Sequence, residues 1–259
     1  FPHKIKAIWH IGACSSTMVM DKEFLRQNNT EYSKTLVEFA LKENIPFYYA
    51  SSAATYGDGS LGYSDEDSSS LKLRPLNPYG QSKQDFDLWL ISNKLTDKVV
   101  GFKYFNVFGP NEYHKEDMRS LVVKAYEQIT CDGKLRLFKS YKSEYKDGEQ
   151  VRDFVYIKDV IDVMWEFAKN PQIKGIYNVG AGQARSWNDL AAAIFTALDL
   201  KPKIEYIDMP EIIRDKYQYH TEADLTKLRR AGITHQFRSL EAAVADYVGN
   251  YLQRNSLCL

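Results

Sequence analysis

Short apolar and aromatic runs alternate with longer segments of helical period through the first 110 residues, and that rhythm restricts the fold more than any other feature of the chain. Residues 4–11 read as a strand. Residues 21–43 place Phe24, Leu25, Leu36, Phe39 and Leu41 on one helix. Residues 46–51 form a second strand run, 78–95 a second helix and 98–107 a third strand. Strand–helix–strand units of these lengths predict right-handed βαβ crossovers and a parallel, doubly wound α/β sheet. Segment 57–75, rich in Gly, Ser and Asp, is longer than a plain connector and is expected to be a functional loop.

Past Gly109-Pro110 the rhythm loosens. Helices are expected at 118–130, 160–169, 187–198, 222–231 and 240–252, with Gly232 a stop for the fourth. Short strands are expected at 135–138, 154–157, 176–179 and 204–207, and the polar stretch 140–150 as an exposed loop. The organisation expected is a nucleotide-binding layer over 1–110. A smaller mixed α/β substrate-binding portion follows over 111–259, with segments returning to the first layer.

Chemistry concentrates at Tyr79-Gly80-Gln81-Ser82-Lys83. Positions i and i+4 share a helix face, so a phenol and an ammonium can meet there. A free tyrosine has a pKa near ~10, and a neighbouring cation favours its phenolate. Ser51-Ser52 closes a strand, which puts hydroxyls at a carboxyl end, where open parallel sheets bind their ligands. A spacing of one Tyr and one Lys recurs by chance, and this context gives it weight.

Basic and acidic residues balance at 34 each, so bulk charge gives no argument for nucleic acid or an anionic membrane surface. No apolar run approaches the ~20 residues that span a bilayer. Cys14, Cys131 and Cys258 are odd in number and lack a C-x-x-C pair, and the expectation is a reduced cytoplasmic protein with no metal site. His10, His114 and His220 show no metal-ligand spacing and are expected in packing or surface roles.

Five segments occur in a diagnostic order. They are Gly12-Ala13-Cys14-Ser15-Ser16, Ala50-Ser51-Ser52-Ala53-Ala54-Thr55-Tyr56-Gly57, the Tyr79/Lys83 pair, Tyr104-Phe105-Asn106-Val107-Phe108-Gly109-Pro110 and Arg152-Asp153-Phe154-Val155-Tyr156. Over nearly the whole chain this resembles the extended short-chain dehydrogenases acting on nucleotide sugars, which are Rossmann-like proteins. His10 before the Gly-Ala-Cys motif, His114-Lys115, and Tyr217-Gln218 followed by Ala223-Asp224-Leu225-Thr226 are similar to the members that epimerise an ADP-linked heptose.

The resemblance implies a mechanism and a set of sites. NADP, with NAD as the alternative, takes a hydride from C6 of the heptose and returns it to the other face of the transient ketone, in the supply of lipopolysaccharide precursors. Tyr79 is implied as the first proton carrier and Lys115 as the second. Ser52 orients the reacting oxygen, and Lys83 tunes Tyr79 and binds the cofactor ribose. Ile11, Gly12, Ala13, Cys14, Ser15, Asn28 and Val107 border the cofactor, together with Lys83 and Lys115. Asn106, Asp117, Lys124, Phe138, Lys139, Ser140, Tyr141, Arg152 and Tyr217 face the ADP-heptose, with Arg152 suited to its diphosphate. A homo-oligomer, a pentamer by resemblance, is implied.

Several positions depart from the pattern. Ile11 replaces a usual glutamate, and Asp117 and Lys124 stand where serine and histidine are common. The glycine-rich pyrophosphate turn does not occur, and the chain opens abruptly at Phe1. The expectation is an N-terminus lacking ~60 residues, the first two βα units, with weak NADP binding as the consequence. The rival readings are a UDP-hexose 4-epimerase, a 4,6-dehydratase or a non-catalytic dinucleotide sensor. Ala53-Ala54 supplies no acid for a dehydratase, and a sensor has no need of Ser52, Tyr79 and Lys83 together.

Overall fold

The computed structural model of the chain describes residues 4–214 and 217–254. Cys258 lies outside them. The strands, in chain order, are β1 (Ile8–His10), β2 (Phe47–Ser52), β3 (Val100–Tyr104), β4 (Asn106–Phe108), β5 (Leu135–Phe138), β6 (Val151–Tyr156), β7 (Gly175–Val179), β8 (Ala184–Ser186) and β9 (Ile204–Ile207). The chain divides into two compact units. One holds the residues up to Phe105 with Val163–Val179 and Ala223–Thr234, and the other holds Asn106–Asp162, Gly180–Glu222 and the residues from His235 onward.

In the first unit, β1, β2, β3 and β7 form one sheet in that order, every pair parallel. Helix 21–43 of the sequence reading is three joined pieces, α-helical Lys22–Leu25, π-helical Arg26–Glu31 and α-helical Tyr32–Lys42. It starts where the Asp21 carboxylate accepts the Phe24 amide at 2.9 Å. Val37 and Ala40 from this helix pack with Phe47, Tyr49, Phe86, Leu90, Val99 and Ile176 in a dry cluster. The helix Pro78–Ser92 begins with Asn77 accepting the Gly80 amide at 2.8 Å and Pro78 in its first turn. Its buried face mixes Phe86 and Leu90 with Ser82, Lys83, Gln84 and Asp87, so apolar periodicity is weak there. That helix is held to the sheet by polar contacts as well as by apolar ones.

The second unit carries the sheet β4–β6–β8, with β8 antiparallel to β6, and the parallel pair β5–β9. Its core joins Val122, Ile129, Leu137, Ile194, Phe195 and Val244, among others. The helix Trp187–Ala197 starts in a reciprocal cap between Ser186 and Asp189.

Several elements differ from the sequence reading. The single strand expected at 98–107 is two, because Phe105 donates its amide to Val179 while Asn106–Phe108 turns to pair with β6. The helix expected at 118–130 runs Leu121–Asp132, because a 3₁₀ turn at Tyr113–Met118 with Glu116 at φ 47° interrupts the helical path before it. Within 222–231 only Thr226–Arg230 is helical, and short elements at Ala184–Ser186 and Glu211–Arg214 were not anticipated. No helix among the described residues is long and apolar enough to cross a membrane.

Candidate active site

The candidate side chains Ser52, Tyr79 and Lys83 meet where β2 ends against the helix Pro78–Ser92. At the end of β2, Ser52 accepts the Ala54 amide at 3.1 Å and starts the 3₁₀ turn Ala53–Tyr56. Gly57 closes that turn at φ 63°, where a Cβ would run into the Arg74 carbonyl. Tyr79, in the first turn of helix Pro78–Ser92, shares a hydrogen bond with the Ser52 side chain. Burial pushes its phenol above the ordinary value, and that hydrogen bond opposes the shift. Lys83, one turn on, is buried and donates to the Ala50 carbonyl oxygen at 2.9 Å. Burial lowers its pKa to about 8, against the pull of Asp87 and Cys14. The lowering of the Tyr79 pKa expected from Lys83 is not what the structure gives: burial raises it, and only the Ser52 hydrogen bond opposes that rise.

At the end of β1, Ile11, Gly12 and Ser15 are exposed and Ala13 and Cys14 half-buried. Asn29 grips this stretch. Its side chain accepts the Cys14 amide and donates to the Cys14 carbonyl, both at 2.9 Å, and reaches Ser82 on helix Pro78–Ser92 at 2.9 Å. Asn28, the residue singled out from sequence, faces outward and donates to the Phe24 carbonyl. His10 is buried against Ser33 at 2.7 Å, and burial with the nearby Lys83 lowers its pKa to about 4.

A buried ionic network that the sequence reading missed lies beneath these groups. Asp87 and Lys103 are fully buried and pair at 2.8 Å. Asp87 also accepts the hydroxyls of Tyr49 at 2.8 Å and Ser51 at 2.7 Å, and Lys103 donates to Thr55 at 2.8 Å. The available signal was an acid four residues after Lys83, on the same face of the helix.

In the second unit, Lys115 is exposed and lines a cavity of about 220 Å³ with Val107, Gly109, Pro110, Asn111 and Ile157. Asn106 is exposed on β4. Asp117 and Lys124 come together, the ammonium donating to the Asp117 carbonyl at 2.5 Å. Phe138 ends β5; next to it Ser140 donates its amide to Asp147, while Lys139 and the Tyr141 hydroxyl both reach Asp208 at 3.1 Å. Arg152 is 7% exposed, with its guanidinium 5.6 Å from the centre of the Trp187 ring and 5.0 Å from that of Tyr217. The Trp187 indole N–H donates to the Tyr217 hydroxyl at 2.8 Å. Trp187 escaped the sequence reading because only folding brings a residue 35 positions away onto Arg152.

A larger cavity in the first unit, about 420 Å³, is lined by Met20, Arg26, Asn77 and Gln81 among others, and none of Ser52, Tyr79 and Lys83 lines it. The chemistry, not cavity size, marks the site. Asp159, Asp162 and His235 cluster closely enough to hold a cation, yet the Arg238 guanidinium lies against Asp159, so the group reads as an ion-pair network.

Residues 2–180 match the family described as the NAD dependent epimerase/dehydratase family. The chain belongs to that family. Among its curated relatives, proteins named ADP-L-glycero-D-manno-heptose-6-epimerase are 53% identical over 251 residues in Nitratidesulfovibrio vulgaris (97% of this chain, 78% of the relative) and 49% identical over 259 residues in Fusobacterium nucleatum (96% and 78%). A crystal structure of the Helicobacter pylori enzyme of the same name superposes at TM-score 0.80, with 30% identity, covering 95% of this chain and 72% of that one. The α/β parallel-sheet architecture expected of this epimerase/dehydratase chain is the one observed.

A nicotinamide dinucleotide suits the residues at the strand ends of this family member. Ile11, Gly12 and Ser15 are exposed, a Cβ added at Gly12 would meet nothing, and Lys83 brings a buried ammonium of which one of three protons is used on Ala50. Tyr79, one turn before that lysine on the same helix, is already joined to Ser52 at the end of β2.

Proposed function

We propose that the protein epimerises ADP-D-glycero-D-manno-heptose to ADP-L-glycero-D-manno-heptose at C6, with NADP, or NAD in its place, as the bound dinucleotide. The observation that carries this reading is the assembly of Ser52, Tyr79 and Lys83 at the end of β2, in a chain about half identical to enzymes of that name. Bound nicotinamide supplies a hydride acceptor and donor. The residues of this chain do the rest. Residues 11–15, Val107 and Lys83 hold the dinucleotide, Lys83 through its unspent ammonium protons.

Tyr79 accepts the proton of the C6 hydroxyl as oxidation proceeds, while the Ser52 hydroxyl orients that oxygen. After the ketone presents its other face, the proton is returned by a second carrier, Lys115. Arg152, stiffened by its two aromatic neighbours, pairs with the diphosphate through charged hydrogen bonds. Asn106, Asp117, Lys124, the segment Phe138, Lys139, Ser140 and Tyr141, and Tyr217 shape the sugar-nucleotide pocket.

The test is Tyr79→Phe in the intact protein, with both heptose epimers separated chromatographically. Turnover is expected to fall roughly 10²–10⁴-fold, the size of a lost general base. Near-full epimerisation by that variant would sink the assignment. We further propose a homo-oligomer, pentameric as the resemblance implies, which sedimentation equilibrium checks. Free Cys14 and Cys131 support a reducing, cytoplasmic location, which cell fractionation checks.

A further inference from the structure

We propose that Asp87 is a positioning residue for the Ser52–Tyr79–Lys83 group, acting with Lys103 to lock the end of β2 onto the catalytic helix and to hold Lys83 charged. The proposal rests on the functional reading just given. Its geometric basis is a single carboxylate, fully buried, that ties together the elements carrying the reactive side chains. One oxygen accepts the Tyr49 hydroxyl at 2.8 Å, and the other accepts Ser51 at 2.7 Å and the Lys103 ammonium at 2.8 Å. Lys103, equally buried on β3, passes the link on to Thr55 at 2.8 Å, inside the turn that Ser52 starts. Thr55 in turn donates to the Ser52 carbonyl at 2.8 Å. The position of the Ser52 hydroxyl relative to the helix bearing Tyr79 and Lys83 is therefore set through Asp87.

The second part is electrostatic. Lys83 faces His10 from β1, Cys14 from the segment after β1, the Ala50 carbonyl from β2, and Asp87 on its own helix, while Lys103 of β3 is held by Asp87. His10 is neutral at working pH, because its pKa stands at about 4. Asp87 is thus the carboxylate that counters the burial of the ammonium. Burial lowers the Lys83 pKa to about 8 and Asp87 pulls it upward. A lysine that must be protonated to bind ribose loses activity as pH rises through its pKa. Without Asp87 that loss must begin at lower pH.

The experiment is the pH dependence of kcat for the intact protein with ADP-D-glycero-D-manno-heptose, from about pH 6 to about 9.5. The variants are Asp87→Asn, the double variant Asp87→Leu/Lys103→Met, and Asp87→Glu. In Asp87→Asn the alkaline limb is expected to move to lower pH by about half a unit or more, and Asp87→Glu to stay near the parent. If Asp87→Asn does not fold, the double variant, which leaves no charge orphaned, decides by the same criterion. A limb that stays in place overturns the claim that Asp87 holds Lys83 charged, and a kcat near the parent's on the plateau of Asp87→Asn overturns the claim that it positions the Ser52 end of β2. Tyr79→Phe run alongside separates the two ideas. Full activity in that variant sinks the reading of the site, whereas its inactivity together with an unmoved limb sinks only the role of Asp87.

Discussion

Replacing Trp187 tests whether the Arg152 clamp binds the diphosphate. The indole does two things to that clamp. Its ring lies 5.6 Å from the guanidinium carbon, and its N–H donates to the Tyr217 hydroxyl at 2.8 Å, which fixes the second ring near the guanidinium. Trp187→Phe keeps a ring and removes the donor, a loss of about 1 kcal/mol for a neutral hydrogen bond. The bond is already made without ADP, so approximately fivefold is the ceiling on the weakening of Kd, since 1.4 kcal/mol is tenfold. Trp187→Leu removes the cation–ring attraction as well, worth about 2 kcal/mol where the cation is desolvated. The two together set an upper bound of about 3 kcal/mol, on the order of 100-fold.

The full value is not expected, because Tyr217 still stacks on Arg152 at 5.0 Å. Isothermal calorimetry with ADP measures the effect directly, with Arg152→Met as the reference for complete loss of the clamp. A thermal melt of each variant checks that the Phe154–Trp187 packing, centroids 5.1 Å apart, survives well enough for folding. If ADP affinity stays within twofold of the parent in Trp187→Leu while Arg152→Met loses it, the support of Arg152 by Trp187 has no energetic role in binding. If Arg152→Met also binds normally, the diphosphate assignment itself fails.

Three further outcomes are expected. Lys103→Met orphans the buried Asp87 charge and should destabilise the protein by about 3–5 kcal/mol in urea unfolding, and a loss below 1 kcal/mol would show that water reaches the carboxylate. His10, held near pKa 4 against an ordinary 6.5, favours the fold only while neutral. Its contribution, about 3 kcal/mol, is present in full above pH ~6.5 and lost as pH falls toward ~4, so His10→Gln should flatten the stability profile in that window; an unchanged slope refutes it. Lys115→Met should impair oxidation of one heptose epimer more than the other, and equal small losses with both epimers would reduce Lys115 to a cofactor contact.

Signals that repeat within a few residues were readable directly from the chain. Alternating strand and helix runs announced the parallel sheet, because side-chain periods of two and 3.6 are written locally. Ser52, Tyr79 and Lys83 were legible for the same reason: a strand end and one helical turn place them without knowledge of the rest. The choice between Asn28 and Asn29 was not. Both lie on the same helical stretch, and only the approach of Cys14 and Ser82 decides which amide turns inward. The break of 98–107 into β3 and β4 likewise depends on which partner each half finds, Val179 for the Phe105 amide and β6 for Asn106–Phe108.

Asp87 and Lys103 read in sequence as ordinary charged residues on a helix and a strand. Packing removes both from water, and a buried charge persists only beside a partner, so the tertiary structure made a surface-type pair into the frame of the site. Sequence alone determined which groups could do the chemistry, because their identities and short-range spacing are local. Their support comes from contacts 16 to 53 positions apart, Lys103 with Asp87, Lys83 with the Ala50 carbonyl and Asn29 with Ser82, which only the closed fold brings within hydrogen-bonding distance.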